Sequence, residues 1–569
     1  LEGADRRVCP FFFGDRVKFQ SMKNPISEFY TQNIQRRITR HLNNLKIWKM
    51  ARRVAAQVPS AKGAPVIFFK ASSGVDDLSW NAAFHLLTSW AFRLQGIPVQ
   101  FFACNAGMTH CVLGTNRDDV TQKPPCASCI YQSKTLYTGV RLQKSQRLLK
   151  SASDVHWFSF QEDEELDHSL FNLALPELMD FEFNGIPLGQ LSLPGLRWIL
   201  RRHHLNDDEP TRYLLSQYIR SAWNIAQKFE ALIKRSQPRA VVVFNGQMYP
   251  EATARFIARK HGIRAITHEV GLRPATVFFT EGEATAYPLH IPDEFELNEA
   301  QNARLDDYLS KRFQGDFRMA GMKFWSEMKG LDEEFLAKAA TFKQIVPIFT
   351  NVIFDTSQPH ANTVFDDMFT WLDAVLEVIR AHPETLFVIR AHPDEMRLRK
   401  ASLETVANWV AEREVEEEPN VIFVPPQETL SSYELIQRAK FTMIYNSTIG
   451  MEASIMGMPV LCAGKARFTQ YPTVFFPQKV GAYGEKLEEF LKAEKINVPA
   501  EFQRNARRFL YYQLYFSSLP FGEYLKTGVR TSHALLQNFD LERLSPENSP
   551  AMKAILEGVI GDGGFLLNE

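Results

Sequence analysis

Short runs of strand-forming residues alternate with amphipathic helices twice along this chain, and that alternation restricts its fold more than any other feature. "APVIFFKASSG" reads as a strand ending in a Ser/Gly loop, "LSWNAAFHLLTSWAFRLQG" as a helix closed by Gly96, and "IPVQFFACN" as the next strand. "RAVVVFNGQ", "EATARFIARKHG" and "IRAITHEVG" repeat the order strand, helix, strand. After a polar helical stretch at 296–342 it restarts: "QIVPIFTNV", a helix at 364–381, "TLFVIR", "NVIFVPP", the helix "SYELIQRA", "FTMIYN", a helix at 448–457 and "MPVLCAG". Strands joined by helical crossovers pair in parallel, with helices over both sheet faces. The expected fold class is therefore α/β, with two Rossmann-like domains facing across a cleft and helical insertions, chiefly at 161–236. We expect an N-terminal helical segment (1–60), a first α/β domain (61–295), a helical linker (296–342), a second α/β domain (343–500), and C-terminal helices with a tail (501–569).

Composition narrows the function. With 569 residues the chain is too long for one core. Lys plus Arg and Asp plus Glu are 65 each, and this balance argues against a nucleic-acid partner, which selects a basic excess. No apolar run approaches the roughly 18 residues a membrane span needs, and the first residues lack a secretory pattern. Since the sequence starts at Leu1, upstream residues are left open; a cytoplasmic location is the expectation.

The pentapeptide IRAHP occurs twice, ending at Pro383 and Pro393. Before the first copy, Phe365, Met368, Phe369, Leu372, Val375, Leu376 and Ile379 fall at helical spacing, so Arg380, His382 and Pro383 read as a helix stop. The second copy follows the strand-like "TLFVIR", which puts Arg390, His392 and Asp394 at a strand's carboxyl end, where open α/β sheets bind ligands. In "FTMIYNSTIGMEASIMGMPVLCAG" a strand ends near Asn446, Ser447 or Thr448 serves as N-cap, and Gly450 lies at the helix start. Free N–H groups there form a phosphate cradle. Glu452, one turn on, could accept bonds from paired sugar hydroxyls, or merely favour the helix's positive end.

Strand–RAHPD and strand–NSTIGMEA–helix–GMPV together resemble the donor half of GT-B glycosyltransferases, especially capsular polysaccharide synthesis proteins of the Kdo-transferase kind, and are similar to bacterial sialyltransferases. The segment "VVVFNGQMYPEATARFIARKHGIRAITHEVGLRPATVFF" resembles the first half of the capsule-synthesis proteins. The resemblance spans roughly 239–290 and 344–465. It implies that His392, with Arg390 and Asn446 beside it, meets the donor phosphate, that Ser447, Thr448 and Gly450 cradle it, and that Glu452 holds the ribose. It also implies that Ser357 and His360 line the nucleotide-sugar pocket, and that Ser72, Ser73 and Gly74, with Asn245 and Gly246, form loops on the acceptor side. Glu269 stands where sialyltransferases place their general base, although "HEVG" departs from their doubly acidic motif. His268 is the alternative base, and Glu269 could instead be spent on Arg273. No DxD-like pair follows a strand at either donor loop, so no catalytic metal is expected.

Two further features stand outside the resemblance. Cys104, Cys111, Cys126 and Cys129 have zinc-knuckle spacing in their last pair, with His110 as a spare ligand; a structural zinc is expected, or an iron–sulfur cluster on the same ligands. Residues 31–57 read as a basic amphipathic helix with an apolar stripe of Ile34, Ile38, Leu42, Leu45 and Met50. It either packs on the body or contacts anionic lipid as a peripheral membrane anchor.

The functional expectation is a glycosyltransferase that moves a sugar from a nucleotide-sugar donor to a surface or capsular glycan, free or lipid-linked. The alternatives are a CDP-glycerol-type phosphotransferase, for which His268 would serve as base, a sugar-nucleotide epimerase, and a non-catalytic nucleotide-sugar-binding protein.

Overall fold

A computed structural model describes residues 34–70, 75, 77–137, 154–313, 329–396 and 401–569, together with the backbone of 318–319 and 322–323. Ser72, Ser73 and Gly74 lie outside the described residues.

Two parallel sheets organise the chain, as the alternation requires. The first contains β1 (Val66–Lys70), β2 (Val99–Cys104), β3 (Val155–Phe158), β4 (Ala240–Phe244), β5 (Arg264–Val270) and β6 (Thr276–Glu281). The second contains β7 (Gln344–Phe349), β8 (Thr385–Arg390), β9 (Val421–Val424), β10 (Thr442–Ile444) and β11 (Val460–Cys462). A short β12 (Leu519–Pro520) completes the first sheet. The first runs β12-β6-β5-β4-β1-β2-β3 and the second β9-β8-β7-β10-β11. Apart from the antiparallel β6 and β12, both follow one parallel order, with the first strand central and the chain reversing direction between strands one and four. The two domains are Rossmann-like, and their arrangement is GT-B-like.

Strands such as β1 and β8 are buried on both faces because helices cover both. In β8 every residue is buried; Ile389 pairs with Ile348 on one side and Phe423 on the other. The first IRAHP is a helix end, as expected: Met368–Ala381 starts at the Asp367 cap and stops at His382. The His382 ring bridges Glu384 and Glu488 at 3.1 and 3.0 Å, a structural contact.

The termini depart from the expected layout. The C-terminal segment returns to the first domain, where β12 pairs with β6 and the helix Pro550–Ile560 joins the core under the helix Trp80–Leu94. The helix Arg36–Gln57 packs on that core too, but through Asn43, Asn44, Ile47, Met50 and Val54. Ile34, Ile38 and Leu42 are exposed instead, so of the apolar stripe read from the sequence Met50 is buried and its first half is not. Asn43 explains the shift: its side chain bonds the backbone of Ala534 and Leu536, and that pairing sets the rotation of the helix.

His204 clasps the two halves. Its Nδ1 meets Glu404 and its Nε2 lies 3.3 Å from Asp367, while the backbone N–H groups of His203 and His204 donate to Glu404 at 2.9 and 3.2 Å. Hydrogen bonds to Asp367 and then Glu404 raise the imidazole to about 10 against the opposing effect of burial. The folded state thus keeps a proton that the unfolded chain loses near 6.5, so this stabilisation is complete below 6.5 and is lost as pH rises through about 10. His204→Gln should therefore lower Tm most at about pH 6, just below the unfolded-state value. The gap to wild type should close as pH approaches 10 in melts at constant ionic strength; a gap independent of pH would contradict the clasp.

Candidate functional site

In a doubly wound sheet, neighbouring loops diverge where the strand order reverses, and the crevice opens there. In the second domain that point lies between β7 and β10. The loops that follow them meet directly: Asn351 donates to Asn446 Oδ1, and Gln358 does so at 3.4 Å. Above them opens a cavity of about 530 Å³. The second domain contributes Asn351, Asp355, Ser357, His360, His392, Asp394, Asn446, Ser447, Thr448, Lys465 and Arg467; the first closes it with Trp198, Arg201, Thr285 and Ala286.

The structure therefore brings together His392, Asn446, Ser447, Thr448, Ser357 and His360, from three separate strand ends. His392 follows β8, and the Asp394 N–H donates to its Nδ1 at 3.2 Å. With Nδ1 accepting, Nε2 carries the ring proton. Burial lowers this histidine, against the pull of the Asp394 and Asp355 carboxylates, so the ring serves as a neutral donor rather than a cation. Thr448 is the N-cap of the helix Ile449–Ile455 but makes no side-chain capping bond, leaving its hydroxyl for the cavity. Ser357 Oγ donates to Asp355 at 2.9 Å.

His360 joins the halves at the floor. Its Nε2 is 3.0 Å from the Glu283 carboxylate, 3.0 Å from Thr285 Oγ1 and 3.1 Å from Gln247 Nε2. Burial alone would raise Glu283, but His360 and the Arg255 guanidinium outweigh it and hold the carboxyl at about 2.

On the facing domain, Asn245 and Gly246 turn the chain after β4 with positive φ of 56° and 85°. A Cβ on Gly246 would stand 2.7 Å from Arg255 Nη1, and glycine relieves both constraints. This turn aims Asn245 Nδ2 at Glu269 Oε2 (2.9 Å), while the Val270 N–H donates to Oε1 (2.8 Å). Burial raises Glu269 against these two bonds, and Asp355 and Arg467 of the other domain act on it across the cleft. It is not spent on Arg273, which donates to Ser518 O and lies over Tyr515.

Four expected residues are elsewhere. His268 neighbours Glu269 on β5 and so points to the opposite face; it is fully buried, 4.4 Å ring to ring from His85, and burial holds it well below its usual value. It cannot reach an acceptor, which corrects its assignment as an alternative base. Glu452 is 2% exposed and pairs with Arg312 and Tyr433, so it does not face a ribose. Gly450 serves packing rather than a phosphate: a Cβ there would stand 2.2 Å from Ile444 Cδ1. Arg390 is 5% exposed and donates to Glu428 O at 3.3 Å, beneath the loop rather than in the cavity. The four cysteines line a separate cavity in the first domain.

Three cavity cations were missed. Lys465 and Arg467 follow β11, and the strand-end rule applied to "AGKARF" would have found them. Arg201 is contributed by the helical insertion, with no local signal. It is 6% exposed, lies over Trp198 and Phe354 at 4.2 and 5.2 Å, and has Nε and Nη1 without partners.

The site thus defines a two-domain α/β protein of GT-B-like build, with a cleft lined by Arg201, Lys465 and Arg467 at the switch point of its second sheet. Residues 325–471 match the family model described as capsule polysaccharide biosynthesis protein, so the resemblance holds on the stretch that carries its main motifs. No curated protein matches the chain. Among solved structures, the β-Kdo 2,4 and β-Kdo 2,7 transferases of Thermosulfurimonas dismutans KpsC are similar at 11% and 12% identity. They cover 49% and 55% of this chain and 80% and 85% of theirs, each at a TM-score of 0.31. A UDP-GlcNAc 2-epimerase from Neisseria meningitidis, bound to UDP-GlcNAc, is similar at 15% identity over 51% of this chain and 80% of its own, at a TM-score of 0.24. Likeness of that extent carries no argument about chemistry.

Relocating Glu452 yields a prediction. Removing one partner of a buried ion pair leaves a stranded charge, at a cost of about 3–5 kcal/mol. Glu452→Ala should lose stability on that scale in denaturant titration, whereas Ser447→Ala, half-buried at the cavity edge, should lose little.

Proposed function

We propose that this chain is a glycosyltransferase of surface-polysaccharide synthesis that binds a nucleotide-sugar donor in the cleft. The observation that carries this reading is the convergence of His392, Ser447, Thr448, Lys465 and Arg467 on one cavity at the switch point. A diphosphate or phosphodiester leaving group needs donors aimed at its oxygens and compensating positive charge, fixed before the reaction. The Nε2–H of His392 and the hydroxyls of Ser447 and Thr448 supply donors, while Lys465 and Arg467 supply charge. With that charge built from side chains, turnover is proposed to need no divalent cation, and EDTA should leave it unchanged.

Glu269 is the proposed general base. Burial raises its basicity, and Asn245 and the Val270 N–H fix its orientation toward the cleft. It would take the proton of an acceptor hydroxyl, from a free or lipid-linked glycan, as that oxygen attacks the donor's anomeric carbon and the nucleotide departs toward His392. The phosphotransferase alternative called for a histidine in this position, and His268 is walled into the core. Peripheral contact with anionic lipid is likewise proposed for the helix Arg36–Gln57, whose exposed Ile38 and Leu42, with Ile34 just before it, sit beside basic residues.

Thermal protection by CMP-, UDP-, GDP- and CDP-linked sugars would identify the donor. With that donor, His392→Ala should weaken binding and cut turnover more than tenfold, while His382→Ala affects stability alone; equal kinetic effects would overturn the assignment. Glu269→Gln should leave donor affinity nearly intact and lower turnover roughly 100-fold, the usual scale for general-base loss. Unchanged turnover would remove Glu269 from the mechanism.

A further inference from the structure

We infer that Arg201 is a donor-binding residue: its guanidinium takes a phosphate oxygen of the nucleotide-sugar from the first domain, across the cleft from His392, Ser447 and Thr448. This role rests on the nucleotide-sugar reading of the cleft and extends it to the helical insertion, so that the donor is gripped by both domains.

The insertion presents this side chain at a cost to its backbone. Arg201 caps the helix Leu188–Leu200 in the left-handed conformation, with φ 59° and ψ 35°. Helices that end in this conformation usually place glycine there, because a Cβ is disfavoured at positive φ. The second domain holds the turn in place: the Leu403 N–H donates to the Arg201 carbonyl at 2.9 Å, and Ser402 Oγ does so at 3.4 Å. The side chain is fixed as firmly, over Trp198 of its own helix and Phe354 of the loop after β7.

No carboxylate answers the charge held there. Among the described residues nothing accepts a hydrogen bond from Nε or Nη1, and the ionised group that acts on the guanidinium is Arg117, another cation. Burial, with that repulsion added, brings Arg201 down to about 10, so it stays charged at neutral pH. A buried cation without a counter-ion is unfavourable in the free protein. It becomes favourable once an oxyanion arrives, because guanidinium nitrogens match phosphate oxygens in charge and in geometry.

The cavity identifies whose oxyanion this is. Arg201 shares it with His392, Ser447 and Thr448, whereas Glu269 and Asn245 on the acceptor side do not line it. Lys465 and Arg467 follow β11, and two strands separate β11 from β8, whose following segment holds the Arg201 backbone. The donor's phosphate thus meets positive charge from two sides of the switch point.

The test measures binding to the whole chain of the nucleotide-sugar that gives thermal protection, of its free nucleotide, and of the matching nucleoside. Arg201→Met keeps an apolar stem against Trp198 and Phe354 and removes the charge. It should weaken donor and nucleotide binding roughly tenfold or more, the scale of one charged hydrogen bond, and leave nucleoside binding unchanged. Its Tm without ligand should be no lower than that of wild type, since an unpaired buried charge is gone. Should this variant fail to fold, Arg201→Lys keeps the charge and should still weaken donor binding, because an ammonium lacks the planar fork. Equal donor affinity in wild type and variant, an equal loss for the nucleoside, or a loss confined to the acceptor's KM would overturn the inference and leave the donor reading standing. A wild-type chain that binds none of the nucleotide-sugars would overturn both.

Discussion

Parallel strand pairing is the constraint on which the rest of this molecule depends. In a parallel sheet every strand ends at the same edge, so each loop that follows a strand is delivered to one side. Four loops of the second domain reach the cleft in this way, separated by tens of residues in sequence and brought together by hydrogen bonding between strands. The first domain obeys the same order and supplies Asn245 and Glu269 from its own strand ends. Neither set forms a site alone. His360 against Glu283, and His204 against Asp367 and Glu404, fasten the two edges to each other.

Electrostatics in the cleft is distributed rather than concentrated. His392 is kept neutral by burial and given its donor tautomer by one backbone N–H, so it offers direction without charge. The positive charge comes instead from Lys465, Arg467 and Arg201. Arg201 is the costly member: burying a guanidinium with two nitrogens unpartnered is unfavourable, and aromatic contacts with Trp198 and Phe354 offset only part of that. An anion in the cleft would supply the missing partner.

Residues that are neighbours in the chain, or that share a motif, separate sharply in space. His268 and Glu269 are adjacent in the chain and opposite in the sheet, because successive strand residues point to opposite faces. The neighbouring core, with Phe84, His85 and Phe279 around it, takes His268, and the cleft takes Glu269. His382 and His392 share a pentapeptide, yet one ends a helix against two glutamates and the other ends a strand in the cavity.

The sequence by itself determined whatever is periodic or local. The alternation of runs determined two parallel α/β domains, and turn and strand signals placed His392, Asn446, Ser447 and Thr448 at strand ends. Tertiary structure decided what depends on contacts across long separations. It turned Glu452 away from the cleft because Arg312, 140 residues distant, competes for its carboxylate. It rotated the helix Arg36–Gln57 because Asn43 bonds backbone nearly 500 residues away. It brought Arg201 from a helical insertion into the cavity, and it drew the C-terminal segment back to complete the first sheet. A periodic pattern reports which face of an element is apolar; which partner that face or a buried charge meets is settled only when the whole chain has folded.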